Sequence, residues 1–244
     1  MAMRILIAGR NIEDILPVIE SKDIEIVDCN PELVITHGGD GALLGAERDY
    51  PGIPKLPVRD IPTAPRCEEH ASFCNMLDAY LKGVLGKTEL IKIAGTANGK
   101  QLVGINDVFI HNVDRGGALR YRVLINDEAY GHEIIGDGVG IATVHGSTAY
   151  YRSITHSIFK IGIGLAFNNS TEVTNHQVLP EDTEVKICIT RGPAILVADN
   201  SPEVIKLDVG DEVIMKKIAD KAEVYGLDLF MCAKCRRLRH SQGR

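Results

Sequence analysis

From Arg4 to Leu85 short apolar runs alternate with segments of helical spacing, the pattern of a parallel α/β layer. Arg4-Ile5-Leu6-Ile7-Ala8-Gly9 is an apolar run closed by glycine, and Asn11 is placed to cap a helix to about Ser21, which Pro17 keeps short or kinked. Ile24 to Val27 and Leu33 to Thr36 are the next strands, the latter running straight into His37-Gly38-Gly39-Asp40-Gly41. A strand that enters a glycine-rich turn and then a helix is where open α/β sheets place ligands. Five prolines between Tyr50 and Pro65, at 51, 54, 57, 62 and 65, predict an irregular connection, neither a long helix nor a central strand. The spacing of Phe73, Leu77, Tyr80, Leu81 and Val84 then predicts a helix within 68–85.

From Glu89 the pattern changes to strands. Ile91 to Ala94 and Gln101 to His111 flank Asn98-Gly99, a tight-turn signal, and Arg120 to Ile125 precedes Asn126-Asp127. Further strands are expected at Ile158 to Phe167, Glu184 to Thr190, Ala194 to Asp199 and Glu212 to Ile218. The fold class is therefore an α/β N-terminal domain, 1–87, carrying the glycine turn, followed by a strand-rich C-terminal domain, 88–244.

Composition narrows the class. With 244 residues, 45% apolar and 25% charged, the chain is globular and long enough for two lobes. No apolar run is long enough to span a bilayer, and Met1-Ala2-Met3-Arg4 leads into a strand with no signal-peptide pattern, so a cytoplasmic protein with no membrane partner is expected. A net charge of −6 argues against a nucleic-acid partner and requires any phosphate binding to be local. The basic tail Lys234, Arg236, Arg237, Arg239 and Arg244 is read as a solvated terminus. Cysteines 29, 67, 74, 188, 232 and 235 are too few for a disulfide scaffold; Cys232-x-x-Cys235 lacks the second pair that a closed zinc site needs, so no protein-bound metal is expected there.

Two generic nucleotide motifs fail. Leu81 to Thr88 ends like a Walker A loop, but leucine stands where its first glycine belongs, and no complete G-x-G-x-x-G occurs. Gly38-Gly39-Asp40-Gly41 can bring backbone amides close to phosphate oxygens while its aspartate faces a reacting hydroxyl; a tight turn with an acidic tip is the competing reading. Gly136-Asp137-Gly138 leads through an apolar strand to Thr143 and to Gly146-Ser147-Thr148-Ala149-Tyr150, a helix start whose amides and hydroxyls suit an anion or a polar ring edge, with a tyrosine face for a base. Asn106-Asp107 interrupts an apolar strand, a cost unless both side chains find partners.

In that order GGDG, the Asn-acid pair, D-G and GSTAY resemble the NAD kinase family over most of the chain. GGDG is shared with diacylglycerol and sphingosine kinases; GSTAY is more particular to NAD kinases. The resemblance implies an α/β domain and a strand-rich domain with the active site between them, partly completed by a neighbouring subunit in a homodimer or homotetramer. It implies Asp40 as catalytic residue, Gly38, Gly39 and Gly41 as the phosphate loop, and Asn106 and Asp107 near the adenosine ribose and phosphates. Asp137 would contact the nicotinamide end, and Thr148, Ala149, Tyr150 and Ser153 would surround the dinucleotide. NAD and ATP (or polyphosphate) would be the substrates, with Mg²⁺ accompanying the donor and no tightly bound organic cofactor. The sequence departs from the family in Thr143-Val144-His145 for Thr-Pro-Thr, in Asp107 for Glu, and in lacking N-x-G-x-L-G-F, whose place the proline-rich segment takes. A kinase of the same scaffold with a nucleoside or lipid acceptor, and a non-catalytic dinucleotide binder, remain the alternatives.

Overall fold

The computed structural model describes residues 2–60, 72–171 and 174–230. Prolines 62 and 65, Cys67, the start of the expected helix at 68–71, Cys232, Cys235 and the basic tail lie outside them. The chain divides into two compact units, which among the described residues are 2–90 with 222–230, and 91–221. The sequence put the change near residue 87; the return of the last segment to the first unit has no signal in the apolar pattern.

The first unit is a parallel sheet. Strands β1 (Met3–Gly9), β2 (Ile24–Ile26), β3 (Leu33–His37) and β4 (Lys55–Val58) lie in the order β4-β3-β1-β2, and the end of the chain's last strand adds beside β4 at Val224. Helices α1 (Leu16–Glu20), α2 (Asp40–Asp49) and α3 (Phe73–Leu81) belong to this unit, and Ile5, Ile19, Leu33, Ile35, Leu56, Met76 and Leu77 form one buried cluster. β4 corrects the expectation of an irregular segment: all four of its residues are buried. The carbonyls of Pro54 and Val58 accept from β3 and its turn, so the alternate residue Pro57 turns its missing N–H away from β3, toward the side where pairing is confined to Lys55. Lys55 is accommodated because its Nζ lies 2.5 Å from Glu47 on α2 and 2.6 Å from the Tyr50 carbonyl. Asn11 does not cap a helix: it takes φ 52° with no capping bond, and its side chain goes to Asp60.

The second unit is a sandwich of antiparallel sheets. Its strands are β5 (Lys87–Ala97), β6 (Lys100–Gly104), β7 (Asp107–Asn112), β8 (Leu119–Ile125), β9 (Glu128–Ala129), β10 (Ile134–Gly136) and β11 (Gly138–Ala142), then helix α4 (Tyr150–Thr155). β12 (Ile163–Asn168), β13 (Gln177–Leu179), β14 (Val185–Arg191), β15 (Ala194–Ala198), β16 (Ile205–Leu207), β17 (Glu212–Tyr225) and a final turn of helix, α5 (Leu227–Phe230), complete the chain. One sheet carries β10-β8-β14-β17, the other β13-β12-β11-β7-β15-β16. Between them pack Tyr121, Val123, Val185, Ile187 and Met215 from the first, and Val108, Ile110, Val139, Ile141, Leu165 and Leu196 from the second. Asn98 (φ 52°) and Gly99 (φ 71°) form the predicted tight turn between β5 and β6.

Period-two alternation in the second sheet builds a second face. On β7, Val108 and Ile110 enter the sandwich, so Asp107, Phe109 and His111 point the other way. There Phe109, Ala142, Tyr151, Phe159 and Ala166 form a separate cluster with Tyr150 and Ile154 of α4. Glycine supplies the room: a Cβ on Gly140 would lie 2.5 Å from the Phe109 ring, and one on Gly164 2.3 Å from the Phe159 ring.

Candidate active site

The expected residues fall into two groups, one in each unit. In the first unit β1 lies between β2 and β3, so the chain leaves β1 to one side and returns on the other; the crevice outside the carboxyl ends of β1 and β3 is a topological switch point. Gly9 and the Gly38 turn meet there. A Cβ on Gly9 (φ 122°) would sit 2.0 Å from the His37 carbonyl oxygen, Arg10 N–H donates to that oxygen at 3.1 Å, and His37 Nδ1 donates to the Arg10 carbonyl at 2.8 Å. Gly38 takes φ 144°, and Gly39 then leads into α2, whose first residue is Asp40.

Asp40 is half-exposed, and its Oδ1 accepts a hydrogen bond from Arg59 Nη2 at 2.9 Å. Arg59, just past β4, is only 4% exposed; its guanidinium lies 3.9 Å over the Phe230 ring and its Nε donates to the Phe230 carbonyl at 3.3 Å. Beside it the buried Asp60 accepts from Arg10 Nε at 2.7 Å and from Asn11 at 3.1 Å. Two guanidinium groups thus reach the glycine turn from the ends of β1 and β4, the strands on either side of β3. Sequence reasoning missed both: Arg59 lies in the segment read as irregular, and Arg10 in a turn with no motif.

In the second unit the pair does not interrupt one strand, as expected: Asn106 lies in the link after β6, and Asp107 is the first residue of β7. Both are buried, and burial, reinforced by the charge of Asp199, pushes the Asp107 carboxyl up to about 7. Asn106 Oδ1 is buried without a hydrogen-bond partner. Tyr150 packs edge-on to Phe109 with centroids 4.8 Å apart and tilts against His111 at 5.4 Å. Its phenol is raised by burial and then by the charges of Asp107 and Asp137, which brings these three expected residues within electrostatic reach of one another. His111 is half-buried and shifted downward by desolvation.

Asp137, between β10 and β11, accepts from Asn169 Nδ2 at 2.9 Å and helps line an open cleft of about 530 Å³ with Asn112, Asp114, Arg115, Gly116, Gly117 and Ala118. The Gly146–Thr148 segment is a 3₁₀ turn, and its polar groups are engaged, contrary to the free amides and hydroxyls expected. Gly146 N–H donates to Thr143 Oγ1, Ser147 Oγ to the Val144 and Phe159 carbonyls, and Thr148 Oγ1 to the His145 carbonyl. Ala149 is exposed at the start of α4, and Ser153 Oγ donates to the Tyr150 carbonyl at 2.7 Å.

No family model matches the chain. It is 30% identical to the NAD kinase of Lactobacillus gasseri over 151 residues, covering 56% of this chain and 54% of that protein. To the NAD kinase of Alcanivorax borkumensis it is 27% identical over 208 residues, covering 76% and 66%. Among solved structures it resembles yeast NADH kinase complexed with NADH, with a TM-score of 0.82, 16% identity, and 96% and 86% of the two chains covered. The chain is similar in sequence to NAD kinases over part of its length. An NAD kinase from Archaeoglobus fulgidus in complex with ATP matches with a TM-score of 0.78 at 16% identity, covering 96% of this chain and 99% of the other. The fold is therefore the two-domain fold of NAD kinases, although the aligned regions cover only about half to two thirds of the curated NAD kinases.

Proposed function

We propose that this protein is an NAD kinase, transferring the terminal phosphoryl group of ATP, or of polyphosphate, to the adenosine 2′-hydroxyl of NAD. The observation that carries the reading is Asp40: a half-exposed carboxylate at the start of α2, directly after a glycine turn at a switch point and oriented by the buried Arg59. Phosphoryl transfer depends on alignment and charge neutralisation more than on covalent chemistry. Gly38, Gly39 and Gly41 bring backbone close to the donor phosphates, and Asp40 takes the proton of the 2′-hydroxyl as its oxygen bonds to phosphorus. The bond to the leaving ADP breaks with its electron pair, and the proton ends on the Asp40 carboxyl. The carboxylate does this late, when the forming bond has acidified the hydroxyl.

Asn106, Asp107, Asp137 and Tyr150, with Thr148, Ala149 and Ser153 alongside, hold the dinucleotide in this reading. The orphaned Asn106 Oδ1 supports it, because a buried acceptor without a donor is costly until a ligand hydroxyl or amine supplies one. Mg²⁺ would enter with the donor and would neutralise charge on its phosphates; among the described residues no group of three or more His, Cys, Asp or Glu side chains is placed to hold a metal ion. A cytoplasmic homodimer or homotetramer belongs to the same proposal. NAD or NADP should raise the melting temperature by mass action, and Tyr150→Ala should reduce that shift. An unchanged melting temperature at saturating dinucleotide, with a rise caused by a nucleoside or lipid headgroup, would reject the acceptor.

A further inference from the structure

The link between β6 and β7 is held more completely than a connection of two residues requires. Ile105, Asn106 and Asp107 offer three N–H groups and three carbonyls, and all six are engaged. Asp199, in the turn after β15, takes most of them: its Oδ2 accepts from Ile105 N–H at 2.9 Å, and its Oδ1 from Asn106 N–H at 2.8 Å and Asp107 N–H at 3.0 Å. Its own N–H donates to the Asp107 carbonyl at 3.0 Å. Thr143 takes the rest, Oγ1 donating to the Ile105 carbonyl at 2.5 Å and N–H to the Asn106 carbonyl at 2.8 Å. Gly104 makes the approach feasible, since a Cβ there would lie 2.6 Å from Asp199 Oδ1. Asp199 itself sits at φ 48°, a conformation that non-glycine residues hold when their surroundings impose it.

Such a clamp does more than satisfy a turn. With the backbone groups consumed, the side chains of Asn106 and Asp107 are the polar groups left to meet a ligand, and Asn106 Oδ1 lies buried without a donor. We propose that Asp199 is a positioning residue for the dinucleotide subsite, its carboxylate fixing Asn106 and Asp107 in the orientation the ligand meets. The inference rests on the function proposed above. The titratable groups facing Asp107 are Asp199 from the β15 turn and Tyr150 from α4, with His111 further along the same face of β7.

The test is Asp199→Asn, which keeps one acceptor oxygen but removes the charge and turns an N–H₂ toward a backbone donor. NAD affinity should fall roughly tenfold or more while the KM for ATP stays put, and Asp199→Ala should fall further. The split between NAD affinity and the KM for ATP is the readout that a purely structural role would not give, and carbon-detected NMR titration of Asp107 reports whether the Asp199 charge acts on it. Its inflection, near 7 in the parent, should shift to lower pH once the neighbouring negative charge is gone. If Asp199→Ala does not fold, the asparagine variant carries the test. Parent-like NAD affinity together with an unmoved Asp107 inflection would overturn the positioning role. A parent protein that binds no dinucleotide would instead reject the proposed function, and with it the subsite that Asp199 is proposed to position.

Discussion

Asp40 and Asp107 are both aspartates, and their surroundings set them to different tasks. Asp40 is half-exposed against a guanidinium; Asp107 is buried beside a second carboxylate and held protonated to about 7. Relative to an unfolded chain, in which Asp107 ionises near 3.8, the folded protein binds the extra proton between those values, so this group's contribution to stability declines as pH rises from about 4 through 7. Asp40→Asn keeps the size and one acceptor but cannot take a proton. Turnover should fall on the order of 10²- to 10⁴-fold, while NAD affinity and melting temperature stay close to the parent's. A folded Asp40→Asn protein with undiminished turnover would reduce Asp40 to a turn residue. At this scale the sequence exposed Asp40, Asn106, Asp107, Asp137 and Tyr150 because glycines or apolar residues surround them. Arg59 and Asp199 stayed hidden, since each acts on a partner 19 or more residues away and neither interrupts a pattern.

Among the elements, β11 shows how a sequence pattern becomes a site wall. Asp137-Gly138-Val139-Gly140-Ile141-Ala142 alternates apolar bulk toward the sandwich core with small residues toward the aromatic face, and Phe109 and Tyr150 meet edge to face in the space so left. An apolar strand at this place was legible in the sequence, as were β3, the Asn98-Gly99 hairpin and the strand-rich second half. β4 was not: a proline and a lysine make up half of it, and what makes it a strand is tertiary, namely the Glu47 partner for Lys55 and a one-sided ladder at Pro57. Gly146 offers a test at this level. A Cβ there would stand 2.0 Å from the Asn106 carbonyl oxygen, with backbone atoms that have little room to yield. Gly146→Ala should therefore displace the Asn106 link, destabilise by about 1–3 kcal/mol and weaken NAD binding. Gly86→Ala, where a Cβ meets nothing within 4 Å, should do neither. Calorimetry of both variants with and without NAD makes the comparison, and equal behaviour would refute the close-packed link.

For the molecule as a whole, a net charge of −6 leaves no long-range attraction for anionic substrates, so the cations at the glycine turn, Arg10 and Arg59, must act at short range. The switch from helical to strand periodicity, read near residue 87, falls close to residues 90 and 91, where the first unit gives way to the second. The return of 222–230 to the first unit could not be seen in the sequence, because one continuous strand, β17, carries the chain from one unit into the other. That return matters chemically, since it brings Phe230 under the arginine that orients Asp40. The most direct measurement follows the product of the proposed reaction. Purified protein is incubated with NAD, ATP and Mg²⁺, or with polyphosphate as donor, and NADP is quantified with an NADP-specific dehydrogenase. The account predicts one NADP per phosphoryl group consumed, lost in Asp40→Asn. Folded protein that forms no NADP from either donor while phosphorylating a nucleoside or lipid, or no acceptor at all, would contradict it.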